Sequence, residues 1–390
     1  MKILHILFHS EPISTGYSLR TKYVLKNLIK KKNNIEHIAL TSSYQNLNSN
    51  INNKEDLHYY RTKKISNSIF MNMVYLYSSI KSIHKKENIN VVHIHSPWLV
   101  ALPAIIFCKL NRVSSIYEIR GFWEDTNVST GKMKENSIKY KIIKKIESFC
   151  VSNADARVAI SKNIIKDLNS RIGHNKEFQH IPNGVDIAEI KTKLKAKTSN
   201  ITDDFVIGYI SSIRELEGIQ ILLEAAEKIV SKYSNIKILI VGDGEYLNNL
   251  KSLTRSLGIQ DNVEFTGKVK HEDISYYYNV IDIFVIPRIS KRVNHIVTPL
   301  KPYEALAYKK AIISSDVGGL KEIFTDQENA LLFKADSPID LADKIKELYE
   351  DNKLKNYLEV NGLKYAENHD WGVITDKYQE VYDKFVERKN

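Results

Sequence analysis

The chain has 390 residues, more than one hydrophobic core ordinarily serves, since single cores stop growing at about 250–300 residues. Two domains of similar size are therefore expected. A hydrophobic share of 43% and a charged share of 26% suit a soluble globular protein. No apolar run approaches the roughly 20 residues that a membrane-spanning helix requires.

The opening MKILHILFHS is too short, is interrupted by His5, and is followed by no small-residue cleavage site. It reads as a buried first strand, not a signal peptide. Cys108 and Cys150 lie in apolar surroundings, which points to buried reduced thiols and a cytoplasmic compartment. The net charge of +11 is uneven. Residues 1–190 hold 28 Lys and Arg against 15 Asp and Glu, whereas the remainder holds 29 against 31. A basic first half favours a polyanion or an anionic membrane surface, the alternative being a lysine-rich solvated face. No helix-turn-helix signal, zinc spacing or RNA-binding aromatic motif supports nucleic acid as the partner.

In chain order, KILHILF reads as a strand, RTKYVLKNLIKK as an amphipathic helix and IEHIALTS as a strand. A polar stretch near 42–54 reads as a loop. NVVHIHS is a strand, ALPAIIFCKLNR a helix, SSIYEI a strand, SIKYKIIKKIESFCVSNA a helix, ARVAIS a strand and KNIIKDLNSR a helix. The pattern restarts with DFVIGYIS, IQILLEAAEKIVSKY, IKILIVGDG, VEFTG, HEDISYYYNV, DIFVIP, PLKPYEALAYKK, AIISSD and GGLKEI. Strands alternating with helices predict an α/β fold with doubly wound, mainly parallel sheets. The boundary is expected at IPNGVDIAEIKTKLKAKTSN, giving two Rossmann-like domains that face each other across a cleft holding the ligands.

Several segments carry chemistry. Gly242 and Gly244 in VGDG follow a strong strand and either admit a ligand to the backbone or make a tight turn. The stretch PRISKRVNHIVTPLKPYE places Arg288, Lys291 and Arg292 just after a strand, with Lys301 and Glu304 opening the next helix. Cations at a strand's carboxyl end beside a helix N-terminus suit a diphosphate, and Glu304 is placed to accept from ribose hydroxyls. The alternative is a solvated basic loop with a helix-capping Glu. In the first half, His93 and His95 point to one strand face, His95 nearer the end. No nearby Cys or third His completes a metal set, so neither metal nor cofactor is expected. His93 reads as a core histidine. Glu118, Arg120, Trp123 and Glu124 in YEIRGFWED stand at a strand end among aromatics, which suits a sugar or acceptor site. Tyr276, Tyr277 and Tyr278 read as helix packing. No D-x-D sequence occurs, which favours neutralising a leaving diphosphate with side-chain cations.

Together these segments resemble glycosyltransferase family 4, retaining enzymes of the GT-B fold. The resemblance spans nearly the whole chain. It is carried by the Gly16 loop, VHIHSP, VAISKNIIKDL, IPNGVD, the GDG turn, VEFTGKV and EALAYKKAIISSDVGGLKEI, with HDWGVITDKYQEVYDKF resembling the family's last helix. Thr15-Gly16-Tyr17 with Arg20, YEIRGFWED and RVNHIVTPLKPYEALA are similar to a subgroup associated with bacterial exopolysaccharide gene clusters. The resemblance implies a domain of residues 1–186 plus about 374–390 that holds the acceptor, and a domain of 187–373 that holds a nucleotide sugar. It implies transfer with retained anomeric configuration, the diphosphate helping to deprotonate the acceptor.

The chain departs from the family pattern at several positions. The first of two usual acidic residues falls on Ile296, and the usual Gly-Phe-Gly turn reads Val297-Thr298-Pro299, where Pro299 lacks a backbone donor. Ser212 and Glu217 replace an Arg and a Lys, with Arg214 between them, and Arg120 replaces a His. Arg288, Lys301 and Arg214 are then expected to hold the diphosphate. The expected catalytic set is His95, Arg120, Arg288 and Lys301. The donor set is Gly16, Tyr17, Arg214, Gly242, Gly244, Val269, Thr298, Leu300 and Glu304. Glu118, Trp123 and Glu124 are the acceptor-side candidates.

The reading is a metal-independent hexosyltransferase that uses a nucleotide sugar, UDP-sugar favoured. Its acceptor is a glycan or lipid-linked acceptor of bacterial surface polysaccharide synthesis. It is placed in the cytoplasm or at the inner face of the cell membrane, in peripheral contact with anionic lipid. The departures keep open a non-catalytic nucleotide-sugar-binding or assembly protein, and a sugar-nucleotide epimerase that needs no acceptor.

Overall fold

The computed structural model describes residues 1–387 apart from 12, 14, 32–33, 43–57, 63–66, 175 and 194–203. Beyond Ser42, the polar stretch near 42–54 falls outside the described residues, as does the charged run at 194–200. The chain divides into two compact units, one of residues 1–183 with 371–390 and one of 184–370. The division cuts IPNGVD between Asn183 and Gly184, and the chain returns to the first unit at Trp371, against the expected 186 and 374.

The first unit contains β1 (Lys2–Leu7), β2 (Glu36–Thr41), β3 (His58–Arg61), β4 (Val91–His95), β5 (Ser114–Ile119), β6 (Ala156–Ala159) and β7 (Gln179–His180). Among the described residues they form one parallel sheet in the order β3-β2-β1-β4-β5-β6-β7. The central strands are buried because helices cover both faces, and they mix apolar side chains with the buried polar residues His5, His93, His95, Ser115 and Glu118. Helix 98–111 packs between helices 69–87 and 138–153. Helix 16–30 packs against the closing helix 371–387. Capping fixes several helix starts. Thr15 and Ser18 form a reciprocal box at 16–30, and the Ser137 hydroxyl accepts from the Tyr140 N–H at 138–153.

The second unit contains β8 (Phe205–Ile210), β9 (Ile236–Val241), β10 (Val263–Gly267), β11 (Ile283–Ile286), β12 (Ala311–Ser315) and β13 (Leu331–Phe333). Their order is β10-β9-β8-β11-β12-β13, again parallel. Both sheets thus reverse direction beside their first strand, between β1 and β4 and between β8 and β11. This is the doubly wound order whose switch point receives ligands outside the carboxyl ends of the strands. β13 and the helices at 338–350 and 352–367 extend the second unit beyond the elements read from sequence. β3 and the helices at 69–87 and 247–256 were likewise unread. Among the described residues no helix is long and apolar enough to cross a membrane.

Candidate active site

In the second unit the switch point is built by two short segments. After β8 the chain runs through Ser211 to Gly218, and after β11 it runs through Pro287 and Arg288. Gly218 adopts φ +75, and a Cβ there would meet the Pro287 carbonyl oxygen at 1.8 Å. Only glycine lets the first segment lie against the end of β11. This approach sets Glu217, itself buried, opposite Arg288. Arg288 Nε donates to Glu217 Oε2 at 3.1 Å and Nη2 to Oε1 at 3.3 Å. Arg214 Nη2 donates to the same Oε1. Asn294 Nδ2 ties the segments together by donating to the Leu216 and Ile289 carbonyls, each at 2.9 Å.

Arg288 and Arg214 come together, on a carboxylate that sequence reading had noted only as a lost lysine. Lys301 and Glu304 pair with each other, Nζ to Oε2 at 2.7 Å, across one helical turn. Thr298 is buried, Leu300 is partly exposed, and Val269 packs against the hydrophobic core around Tyr278 and Phe284. Ile296, in the position of the family's first acid, is buried apolar. Gly242 and Gly244 have an internal reason to be glycine. Added Cβ atoms would meet the carbonyl oxygens of Ser211 at 1.9 Å and Ile213 at 2.1 Å, so the protein's own close backbone approach requires glycine at both positions. His295 is an addition that sequence did not single out. The Gly318 N–H donates to its Nδ1 at 3.0 Å, so in the neutral ring Nε2 carries the proton and faces Ser290 Oγ at 2.8 Å. Tyr278 stacks on Tyr308 with centroids 4.2 Å apart, whereas Tyr276 is exposed.

In the first unit, register places His5 beside His93, and His95 beside Glu118. Alternation then puts all four on one sheet face, with His37 of β2. Arg20 of helix 16–30 and Tyr378 and Tyr382 of the closing helix meet them there. Glu118 is fully buried and accepts from Arg20 Nε at 3.0 Å, Arg120 Nε at 2.8 Å and Tyr378 OH at 2.9 Å. The two guanidinium groups hold its carboxyl well below the usual range against the opposing effect of burial. Arg20 also donates to the Ile181 and Pro182 carbonyls and to the Asn183 side chain, fastening the segment that ends the unit.

Arg120 Nη2 lies 2.6 Å from His95 Nδ1. Because guanidinium only donates, that nitrogen must accept. The tautomers then follow in sequence. His95 Nε2 donates to His5 Nδ1 at 3.1 Å, and His5 Nε2 donates to His37 Nδ1 at 3.0 Å. Burial lowers the pKa of His5, His93 and His95, and takes His37 down to about 4, so the chain is neutral. The sequence expectation that no third histidine joins His93 and His95 is corrected by His5, whose ligand nitrogen lies within 4.8 Å of theirs. The lone pairs of His5 and His95 are taken up by the hydrogen-bond chain.

Four expected site residues in this unit are buried in the protein's own contacts. Glu118 and His95 are sealed in the network and touch no solvent. Arg120, also buried, spends its donors on Glu118, His95, the Thr21 hydroxyl and the Tyr17 carbonyl, and its guanidinium lies 4.7 Å from the Tyr17 ring centroid. Glu124 is fully buried and bonded to Arg171 Nη1 at 2.9 Å. The Tyr17 hydroxyl accepts from the Phe8 N–H at 3.0 Å and donates to the His95 carbonyl at 3.1 Å, spanning the ends of β1 and β4 at this unit's switch point. Gly16 is exposed at the start of its helix, and Trp123 is half-buried against Trp98.

Similarity to known proteins agrees with this architecture. A model described as Glycosyltransferase Family 4 matches residues 23–189, and one described as Glycosyl transferases group 1 matches 190–365. The capsular polysaccharide biosynthesis glycosyltransferase CapM of Staphylococcus aureus is 25% identical over 80% of this chain and 82% of its own. An alpha-monoglucosyldiacylglycerol synthase of Streptococcus pneumoniae is 24% identical over 85% of this chain and 74% of its own. The crystal structure of Anabaena HepE in complex with UDP matches the fold with a TM-score of 0.75 at 14% identity, over 98% of this chain and all of that one. Fold and matches define an enzyme of the glycosyltransferase class. Its two Rossmann-like units are those of a GT-B protein of the family 4 type.

Proposed function

We propose that the chain is a retaining, metal-independent transferase that moves a hexose from a UDP-sugar to a glycan or lipid-linked acceptor of bacterial surface polysaccharide synthesis. The observation that carries this reading is the meeting of Arg214 and Arg288 at the switch point of the second unit. The Arg214 side chain is 40% exposed and its Nε has no hydrogen-bond partner among the described residues, so the guanidinium keeps donor capacity beyond its bond to Glu217. Two forked cations there stabilise a diphosphate as it leaves, without a metal ion. Glu304, freed from Lys301, would accept from the ribose, and Lys301 would turn to the phosphates. The leaving diphosphate would take the acceptor's proton. CapM and the UDP complex of HepE support a surface glycan and a uridine donor by likeness. The glycolipid synthase supports a lipid-linked acceptor in the same way.

Thermal stabilisation by a panel of nucleoside diphosphates and their sugars, with and without EDTA, tests this. A selective shift with UDP that EDTA leaves unchanged is expected. No shift with any nucleotide refutes the donor site. A second reading, a non-catalytic nucleotide-sugar binder, is favoured by one observation, that Glu217 already takes hydrogen bonds from both arginines. Release of UDP from donor in the presence of acceptor excludes it.

A further inference from the structure

The carboxyl ends of β1, β2 and β3 hold a second polar cluster, on the same sheet face as the histidine chain but at its rim. Register sets Leu7 beside Thr41 and Thr41 beside Arg61. Alternation then carries the Thr41 and Arg61 side chains to the face that already bears His5 and His37. The turn after β1 meets them there. The Thr41 hydroxyl donates to Ser10 Oγ at 2.9 Å, and both residues are buried. Arg61 Nη2 donates to the Glu11 carbonyl at 2.9 Å, and Nη1 lies 3.4 Å from Ser10 Oγ. The Glu11 carboxylate pairs with Lys22 of helix 16–30, Oε1 3.0 Å from Nζ.

The Arg61 guanidinium has donors to spare. An arginine offers five N–H groups, and those two contacts are the hydrogen bonds Arg61 makes among the described residues. Its Nε is shut off from solvent and has no acceptor there. Burial draws the Arg61 pKa down, and the group that opposes the shift is Tyr59, not a carboxylate. The other arginines drawn into this unit are provided for. Arg20 and Arg120 pair with Glu118, and Arg171 pairs with Glu124 and Asp167. Arg157 donates to the Val151, Ser152 and Ala154 carbonyls at the end of helix 138–153. A charged donor withheld from water is costly unless an acceptor meets it, and Arg61 Nε lacks one among the described residues.

The acceptor that completes this cluster has a definite chemistry. The fork of Nε and its neighbouring Nη matches two oxygens of a carboxylate or of a phosphate. Ser10 Oγ, which accepts from Thr41, makes only a long contact of 3.4 Å with the Glu11 carbonyl. It can turn its proton to a third oxygen, which a phosphate has and a carboxylate lacks. The position is also that of a ligand, since sheets of this order bind outside the carboxyl ends of their strands and β1 borders the switch point. We infer that Arg61, with Ser10, binds a phosphoryl group of the acceptor substrate. The inference rests on the transferase reading and names a group that the acceptor carries. That phosphoryl group either joins the acceptor to a lipid or belongs to a soluble phosphorylated sugar.

The test is calorimetric titration of the full chain with inorganic phosphate, in saturating UDP so that the second unit is already occupied. Arg61→Gln should weaken phosphate binding by at least about tenfold. Arg61→Lys keeps the charge but loses the fork, so its affinity should fall between those of the wild type and Arg61→Gln. Neither variant strands a carboxylate, so both should keep the wild-type unfolding temperature when phosphate is absent. Equal phosphate affinity in the wild type and Arg61→Gln overturns the inference. So does a wild type that binds no phosphate while both variants unfold at lower temperature, which marks Arg61 as a brace for the turn after β1. Hexyl phosphate and glucose 1-phosphate then identify what carries the group. Arg61-dependent binding that is tighter for hexyl phosphate than for inorganic phosphate assigns the site to a lipid-linked acceptor. The same gain with glucose 1-phosphate assigns it to a soluble phosphorylated sugar. An intact UDP shift with phosphate binding that ignores Arg61 sinks this inference alone, whereas Arg61-dependent phosphate binding without any UDP shift sinks only the donor reading.

Discussion

Glu217 grips Arg288 through both carboxylate oxygens, with Nε 3.1 Å from one and Nη2 3.3 Å from the other, while also accepting from Arg214. All three side chains depend on Gly218, the residue that brings the loop after β8 onto the end of β11. A carboxylate thus stands where an incoming diphosphate would otherwise meet two free cations.

Replacing Glu217 by Gln should separate these roles. It leaves Arg288, whose side chain is 11% exposed, without its counter-charge, at a cost of about 3–5 kcal/mol in the second unit. A bound diphosphate restores that charge. The UDP-induced rise in unfolding temperature should accordingly be larger in Glu217→Gln than in the wild type, measured by scanning calorimetry. An equal or smaller rise would show that the arginines do not face the nucleotide.

Arg288→Ala and Lys301→Ala should each raise the donor KM or abolish turnover. Losing a charge-assisted hydrogen bond of about 1.5–3 kcal/mol corresponds to roughly 10–100-fold in kcat/KM. Steady-state kinetics with UDP-glucose as donor read this directly, and wild-type values in both variants would refute the proposed diphosphate site.

The buried network of the first unit should be structural. Tyr378→Phe removes a hydroxyl that accepts from Arg20 Nη2 at 2.8 Å and donates to Glu118 Oε2 at 2.9 Å. Urea unfolding should show a loss of about 1–3 kcal/mol. Glu118→Gln should cost more, about 3–5 kcal/mol, because it strands two guanidinium groups. In both variants the UDP shift should survive, since it belongs to the other unit.

Two groups give the first unit opposite pH limbs. Burial, with the charge of Glu124, pushes Glu147 up to about 8 from 4.5. The native state therefore binds more protons than the unfolded one between those values, and stability falls as pH rises from about 4.5 through about 8. His37 runs the other way. Burial, reinforced by His93, takes it down to about 4 from 6.5, so its contribution is present above 6.5 and lost as pH falls through about 4. Denaturation midpoints across this range should show a flatter alkaline limb in Glu147→Gln and a flatter acid limb in His37→Gln. Unchanged limbs would show that these groups do not titrate with folding.

Most of the parallel strands were legible as short, mainly apolar runs between helical patterns, whereas β3, β7 and β13 were not. That signal is local, since a strand covered on both faces is mostly apolar on both, with exceptions such as His5, His93 and Glu118. Helix 69–87 escaped because Phe70 and Val74 place apolar side chains on the outer face, which blurs the period that marks a buried stripe. Arg288 and Arg214 were legible as cations near strand ends. Their carboxylate partner was not, because Glu217 lies 71 residues from Arg288 and meets it only when β8 and β11 become neighbours.

The sequence by itself determined the alternation of strands and helices, the two-unit division near IPNGVD and the likeness to family 4. Each rests on composition and spacing within a few tens of residues. Only the tertiary structure decided which polar residues are sealed and which are presented. Glu118, His95 and Glu124 look alike in sequence to residues at a strand's open end. Glu118 and His95 are buried because partners as distant as Tyr378, 260 residues from Glu118, close over their sheet face, and Glu124 is buried against Arg171 of another helix. A carboxylate or imidazole can leave water only where such partners supply its hydrogen bonds, and strand order, not sequence neighbourhood, brings them there.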